Sequence, residues 1–325
     1  MAVSLAGCPR KPPVEEKPQP VDIRPEPTDV PRDVLEHDLE ATVMENYSHL
    51  TLGNFGAFRD GLAGDQSITL IGVMPDDVVF GRRPRDAARD RRLYPMLGPT
   101  LLAKNLEVHT AEDGSVGWMF DELSYRVPYG GRTASIPIRN TGVFVRDFDR
   151  WVLALEHQSY AMSIDDLRGM AAAGTLETPR RFDSQPKAPQ ARELVALVGR
   201  LHNAGPAQDA PPVRDGEGTL LLLPDRDHEL RGAAAQDAPT LSSVFGPSTT
   251  VTVRDYRVGV AKNGAVAWMA ANLVVRTLVN DALTDIGLRG SYLFVRATQG
   301  WELAQMHLSA PVSERELSRR TFGTP

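Results

Sequence analysis

Three residues in one stretch of this sequence are of types that could do chemistry together. Glu122 closes the run Trp118-Met119-Phe120-Asp121-Glu122, and strand alternation puts it on the Trp118 face. A carboxylate held against apolar rings has a raised pKa and could abstract a proton. His157 begins the pair His157-x-Ser159, a candidate general base beside a hydroxyl, because imidazole titrates near neutrality. Arg139 could bind a carboxylate or phosphate ligand through its fork of donors. Glu122, His157 and Arg139 are therefore the catalytic candidates for an enzyme acting on a small hydrophobic substrate. Each also has a plainer use. Carboxylates are rarely buried, so Asp121 and Glu122 can be an exposed acidic pair. A His/Ser pair without a carboxylate is an incomplete triad and can simply bond the end of a neighbouring element. A long basic side chain can reach a salt bridge at the sheet rim. The test is whether the three converge within hydrogen-bond reach in one cavity.

Most of these residues occur twice. Residues 108–167 and 258–317 align at a constant offset of 150 without a gap, and 20 of the 60 paired positions are identical. Chance would give roughly one match in fifteen to twenty. His307, Ser309, Arg289, Trp268 and Trp301 repeat His157, Ser159, Arg139, Trp118 and Trp151. Ala271 and Asn272 stand where Asp121 and Glu122 do, so the second copy lacks the acids. Upstream, the register continues weakly through Thr69 and Leu70 with Thr219 and Leu220, and Asp77 with Asp227. Along the last strand, alternation predicts Trp151, Leu153, Leu155, His157 and Ser159 on one face. It predicts Trp301, Leu303, Gln305, His307 and Ser309 on the matching face of the second copy. The binding candidates are Trp118, Trp151, Ser159, Trp268, Arg289, Trp301, His307 and Ser309. The four indoles serve equally as core packing, given how much surface each buries. No His or Cys cluster has metal spacing and no phosphate loop is present, so neither metal nor cofactor is expected.

The elements that must hold these residues follow from periodicity. Leu35, Leu39, Val43, Tyr47 and Leu50 predict a helix over 32–50, with Pro31 suited to its start. A β-rich run at 65–73, another at 78–80 and a helix at 84–96 follow. Strands are predicted over 101–111, 115–127, 136–146 and 151–159, with Glu112-Asp113-Gly114 as a hairpin turn. A helix over 160–173 closes the first copy. The second repeats the plan with a helix at 190–201 and strands at 218–223, 249–261, 265–278, 286–296 and 301–309. Its early part, rich in Ala, Pro, Gly and Asp over 203–216, predicts shortened helices. Helices followed by a mostly antiparallel meander make each copy an α+β domain. The predicted divisions are a lead and tether at 1–31, domains at 32–168 and 190–320 with a linker at 169–189, and a tail at 321–325.

Composition narrows the function. The chain has 325 residues, 42% apolar and 24% charged, with net charge −6. Basic residues are scattered except at 82–92 (RRPRDAARDRR), where three aspartates dilute them, so nucleic-acid binding is not expected. No run reaches the roughly 18 consecutive apolar residues of a membrane-spanning helix. The single cysteine, Cys8, sits in Leu5-Ala6-Gly7-Cys8, which resembles a bacterial lipobox lacking the apolar segment that should precede it. Eight prolines follow within 9–31, as suits an extended tether. A lipid anchor on Cys8 would place the protein at the bacterial cell envelope. An incidental cysteine leaves it cytoplasmic.

The pattern G-x-V-x-W-M, then I-x-x-R running to F-V-R, then W-x-L-A-x-x-H-x-S, resembles the SnoaL-like branch of the nuclear transport factor 2-like superfamily. Both copies carry its pieces. The resemblance implies two tandem cone-shaped domains, each a curved, mostly antiparallel sheet wrapped round N-terminal helices with a pocket at the open end. Members of that superfamily include isomerases, dehydratases and hydrolases as well as non-catalytic binding modules, so the shape is implied more firmly than an activity. The expectation is a non-catalytic binding or interaction module with a small apolar ligand. The alternative is an isomerase-, hydrolase- or dehydratase-like enzyme. Such sheets often pair face to face, so the two copies are expected to form an intramolecular pseudo-dimer and a monomer in solution.

Overall fold

The structure, a computed structural model, describes residues 29–64, 68–81, 100–129, 132–182, 189–203 and 212–323. Cys8, the proline-rich segment to residue 28, the basic tract at 82–92 and the helix expected at 84–96 lie outside the described residues.

Two mixed sheets form, one from each copy. In the first half, α1 (Arg32–Thr51) and α2 (Phe55–Asp60) precede β1 (Thr69–Ile71), β2 (Val78–Phe80), β3 (Thr100–Ala103), β4 (Glu107–Thr110), β5 (Val116–Tyr129), β6 (Arg132–Asp147) and β7 (Arg150–Ser159), and α3 (Ile164–Ala172) follows. The strand order is β2-β1-β7-β6-β5-β3, with β4 also on β5. In the second half, α4 (Ala191–Asn203) precedes β8 (Leu220–Leu222), β9 (Glu229–Arg231), α5 (Leu241–Phe245), β10 (Thr250–Val260), β11 (Val266–Val279), β12 (Ala282–Ala297), β13 (Gly300–Ser309) and α6 (Glu314–Phe322). The order there is β10-β11-β12-β13-β8-β9. All pairings are antiparallel except β1 with β7 and β8 with β13.

The helix α1 buries Leu35, Leu39, Val43, Tyr47 and Leu50, the stripe its spacing predicts. It lies close on the sheet. A Cβ on Gly117 would sit 2.5 Å from Leu39 Cδ2, so a larger residue there would displace that side chain. The helix α4 does the same for the second sheet with Leu194, Leu197, Val198 and His202. His202 Nε2 bonds the Tyr292 hydroxyl at 2.8 Å. The single helix predicted at 160–173 is α3, capped by Ser163, whose hydroxyl accepts from Asp166 N. Ser313 caps α6 the same way.

The strand expected at 101–111 breaks into β3 and β4. The break is stabilised by Asp121 Oδ1, which accepts from Lys104 N at 3.1 Å and Asn105 N at 3.0 Å. The second copy keeps one strand, β10, with a register shift between Val253 and Asp255. Upstream, the offset between halves is not 150. Leu155 pairs with Thr69, whereas its counterpart Gln305 pairs with Leu220, so β1 and β8 correspond at 151.

One irregularity decides where the chemistry points. Val143 pairs with Leu155 but Phe144 pairs with Leu153, so Ala154 is an extra residue in β7. A bulge there reverses the alternation. Trp151 and Leu153 face the helix side, while Leu155, His157 and Ser159 face the other. The single-face expectation for Trp151 through Ser159 is corrected by this bulge. The second half repeats it between Leu293 and Phe294, separating Trp301 and Leu303 from Gln305, His307 and Ser309.

Candidate functional site

The helix-distal faces of the two sheets carry His157, Ser159, Thr141 and Arg139 from one half, and His307, Ser309, Ser291 and Arg289 from the other. These sets meet each other. The two imidazoles stack with ring centroids 4.0 Å apart. His157 Nδ1 lies 3.1 Å from Ser291 Oγ, and Nε2 lies 2.8 Å from Ser309 Oγ. His307 answers with Nδ1 2.9 Å from Thr141 Oγ1 and Nε2 2.6 Å from Ser159 Oγ. Both rings are fully buried. Burial, and then the nearby Arg289 and Arg139, push the His157 pKa well below its usual value, so it is neutral. Burial first, then His157 and Arg139, do the same to His307. A neutral imidazole needs one donor and one acceptor partner, and a hydroxyl can be either. A pair of hydroxyls therefore satisfies each ring in either tautomer.

The arginines also reach across. Arg139 Nη1 donates to the carbonyls of Leu223 and Asp225, each at 2.8 Å, and Nη2 to Pro224 at 3.3 Å. Arg289 Nη1 donates to Gly72 O at 2.7 Å, and its Nη2 to Met74 O at 2.6 Å and to Pro75 O. Burial lowers each guanidinium only to about 10, so both stay cationic at neutral pH. Both guanidinium groups spend their terminal nitrogens on backbone carbonyls of the other half, while Arg289 Nε is left without a hydrogen-bond partner. Trp118 Nε1 donates to Gly218 O at 2.8 Å, and Gln305 Nε2 to Met119 O at 3.0 Å. Trp268 lies on the corresponding face of the second sheet, and Trp151 and Trp301 pack on the helix side of theirs. All three are buried.

Glu122 shares the Arg139 face, as its cross-strand pairing shows. It is exposed, accepts from Asn105 Nδ2 at 2.9 Å, and lines a cavity of about 150 Å³ with Arg139. His157 is not among the residues lining that cavity. Glu122, His157 and Arg139 are thus not brought together.

A second constellation lies on the helix side of the first sheet, inside the cone. The carboxylate there is Asp121, which is fully buried. Asn140 Nδ2 donates to the Tyr47 hydroxyl at 3.1 Å and to Glu156 Oε1 at 3.2 Å. Gln158 Nε2 donates to Glu156 Oε1 at 3.0 Å, and the Tyr125 hydroxyl donates to Gln158 Oε1. Two buried acceptors, Asp121 Oδ2 and Asn140 Oδ1, have no hydrogen-bond partner. Burial raises the Asp121 pKa against the two backbone bonds and the neighbouring Tyr47 hydroxyl, which lower it. Burial likewise drives Tyr47 and Tyr125 well above the usual phenol value. In the second half Ala271, Val275, Gly290, Met306 and Leu308 occupy the aligned strand positions, and the buried polar pair on the helix side is His202 with Tyr292. Sequence reasoning missed Tyr47, Tyr125, Asn140, Glu156 and Gln158. The available signal was that contrast, polar residues in one copy against apolar or missing side chains in the other.

Each half is thus a sheet curved round its own helix, and the buried carboxylates of the interior, Asp121 and Glu156, belong to the first. The sequence profile of the SnoaL-like domain matches residues 40–163 and 228–313, well over half of the chain. The chain belongs to the SnoaL-like domain family. Among solved structures, it is similar to a calcium/calmodulin-dependent kinase II hub homology domain from Chlamydomonas reinhardtii, at 16% identity and TM-score 0.32, over 39% of this chain and 98% of that one. It is similar to an NTF2-like protein of unknown function from Pseudomonas putida, at 14% identity and TM-score 0.34, over 47% of this chain and 98% of that one. A third, an NTF2-like protein with a cystatin-like fold from Novosphingobium aromaticivorans, has 13% identity and TM-score 0.34, over 41% of this chain and 86% of that one. No curated protein matches the sequence.

Proposed function

We propose that this protein is a non-catalytic binding module with one small-molecule site, in the cone of the first half. The second half is its fused structural partner. The observation that carries this is the pair of unpartnered buried acceptors, Asp121 Oδ2 and Asn140 Oδ1, in a polar set whose strand residues the second half replaces with Ala271, Gly290, Met306 and Leu308. A buried acceptor without a partner is costly, and a ligand bearing hydrogen-bond donors would relieve two at once. Such a ligand is more polar than the apolar one the sequence suggested. In this reading the chain is a monomer, and the envelope location follows from a lipid anchor on Cys8 with residues 9–31 as tether.

A thermal-shift screen of the full chain against a library of small polar metabolites tests the site. A true ligand raises the melting temperature of the parent chain by mass action, and Asp121→Asn and Asn140→Ala abolish that shift. A ligand that stabilises parent and both variants equally overturns the assignment. A second reading rests on the buried Asp121 carboxyl beside Tyr47, whose pKa burial raises: a carboxyl shifted in that direction suits proton transfer on a bound substrate. Turnover of the ligand found in the screen, lost in Asp121→Asn, would favour it.

A further inference from the structure

The cavity between the halves has a filled twin. Its lining includes Lys104, Glu122, Pro137, Arg139 and Arg226. At the offset of 150, the first four correspond to Arg254, Asn272, Gly287 and Arg289. Through the one-residue shift of β1 against β8, Arg226 corresponds to Pro75. In the second half, this site is occupied by the segment that joins the halves. Arg254 Nη2 donates to Pro179 O at 2.9 Å, and Asn272 Nδ2 to Arg180 O at 2.9 Å. Arg180 N donates to Pro75 O at 3.1 Å, and Phe182 N to Asp255 Oδ1 at 3.2 Å. Pro179 lies so close to Gly287 that a Cβ there would come within 2.6 Å of its ring. Extended, proline-containing backbone upstream of α4 is thus what one of these two equivalent sites holds.

We propose that the cavity bounded by Lys104, Glu122, Pro137 and Arg226 is a docking groove for extended peptide, and that its occupant is the chain's own segment within residues 9–28. That segment stands upstream of α1 as residues 179–182 stand upstream of α4. It carries seven prolines, as an extended ligand should. The groove keeps a cation for a peptide carbonyl, Lys104 in place of Arg254. It replaces the neutral Asn272 by Glu122 and adds Glu229 at its wall. The segment carries both signs, Arg10, Lys11, Lys17 and Arg24 with Glu15, Glu16, Asp22 and Glu26, as the groove does with Glu122 and Glu229 beside Lys104 and Arg226. Reach is sufficient. Glu36, in the first turns of α1, accepts from Thr110 N at 3.2 Å. Thr110 is six residues beyond Lys104, so the groove lies within about 22 Å of that contact along extended chain, and with about 10 Å more from Glu36 back to Asp29 the span is one that about ten extended residues upstream of Asp29 can cover.

The test is paramagnetic broadening in the full chain. A nitroxide is placed at position 21 by Val21→Cys in a Cys8→Ser background, which leaves one thiol. Docking predicts that the amide resonances of Asn105, Leu123 and Ile138 lose most of their intensity, while those of Asp255, Leu273 and Leu288 keep theirs. Lys104 is exposed, so Lys104→Glu leaves the fold intact and restores the lost intensity. The proposal is overturned if the loss is absent, or if it simply fades with distance from Asp29. Persistence in Lys104→Glu overturns it too. Broadening that appears when spin-labelled chain is mixed with unlabelled, isotopically enriched chain assigns the occupant to a second copy and overturns the assignment to the chain's own segment.

Discussion

At the scale of single residues, the side chains that look most reactive hold the two halves together. His157 and His307 are neutral because they are buried, and this has a sign that can be measured. A histidine whose folded pKa is depressed contributes stability above its unfolded pKa near 6.5, and that contribution is lost as pH falls below it. Asp77 acts oppositely: burial raises its pKa to about 6, so its ionisation costs stability as pH rises through that value. Comparison with the double variant His157→Gln, His307→Gln cancels the Asp77 effect. Denaturant titrations from pH 7 to pH 4 should show the parent losing stability relative to the variant, by up to about 1.4 kcal/mol per pH unit for each histidine. A parallel pair of curves would rule out neutral, buried rings. Arg289→Met should cost at least about 3 kcal/mol in the same measurement, because it strands the carbonyls of Gly72, Met74 and Pro75 between the sheets.

At the scale of elements, the sequence showed the strands more clearly than their faces. The 150-residue repeat, the hairpin glycines and the helical spacing of Leu35 to Leu50 place β5 to β7 and β11 to β13 within a few residues of their observed ends. The face on which His157 lies was not legible, because one extra residue in a strand leaves no mark on local composition. Ala154 and Ala304 look like ordinary strand residues, and only the pairing of Val143 and Phe144 reveals the bulge. Glu122 does share the Trp118 face, but that face is the helix-distal one, so the carboxylate inside the cone is its neighbour Asp121. Deleting Ala154 restores strict alternation and turns His157 and Ser159 toward α1. The expected result is loss of the cooperative transition and of near-ultraviolet circular dichroism. Gly218 is a second element-scale test. A Cβ there would lie 2.9 Å from His109 and 3.0 Å from Trp118. Gly218→Val should therefore destabilise by about 1–3 kcal/mol, read as a lower denaturation midpoint with the slope unchanged.

At the scale of the whole molecule, the contacts between halves are those of an interior. Fully buried hydrogen bonds run both ways, and each half lends carbonyls to the other's arginine. A single unfolding transition is expected, with matching calorimetric and van 't Hoff enthalpies, instead of one step per half. Light scattering should return the mass of one chain, 35.6 kDa, if the sheet faces are satisfied internally as we propose.

The joined halves also differ from a true symmetric pair in what they allow over generations. Where two identical subunits meet, every change is written into both at once, and a substitution harmful on one side cannot be confined to the other. Here the reciprocal contacts are encoded at separate positions. Trp118 could therefore acquire Gly218 as a neighbour, and Asn140 and Glu156 could sit in one interior while Gly290 and Met306 sit in the other, with neither change copied across the axis.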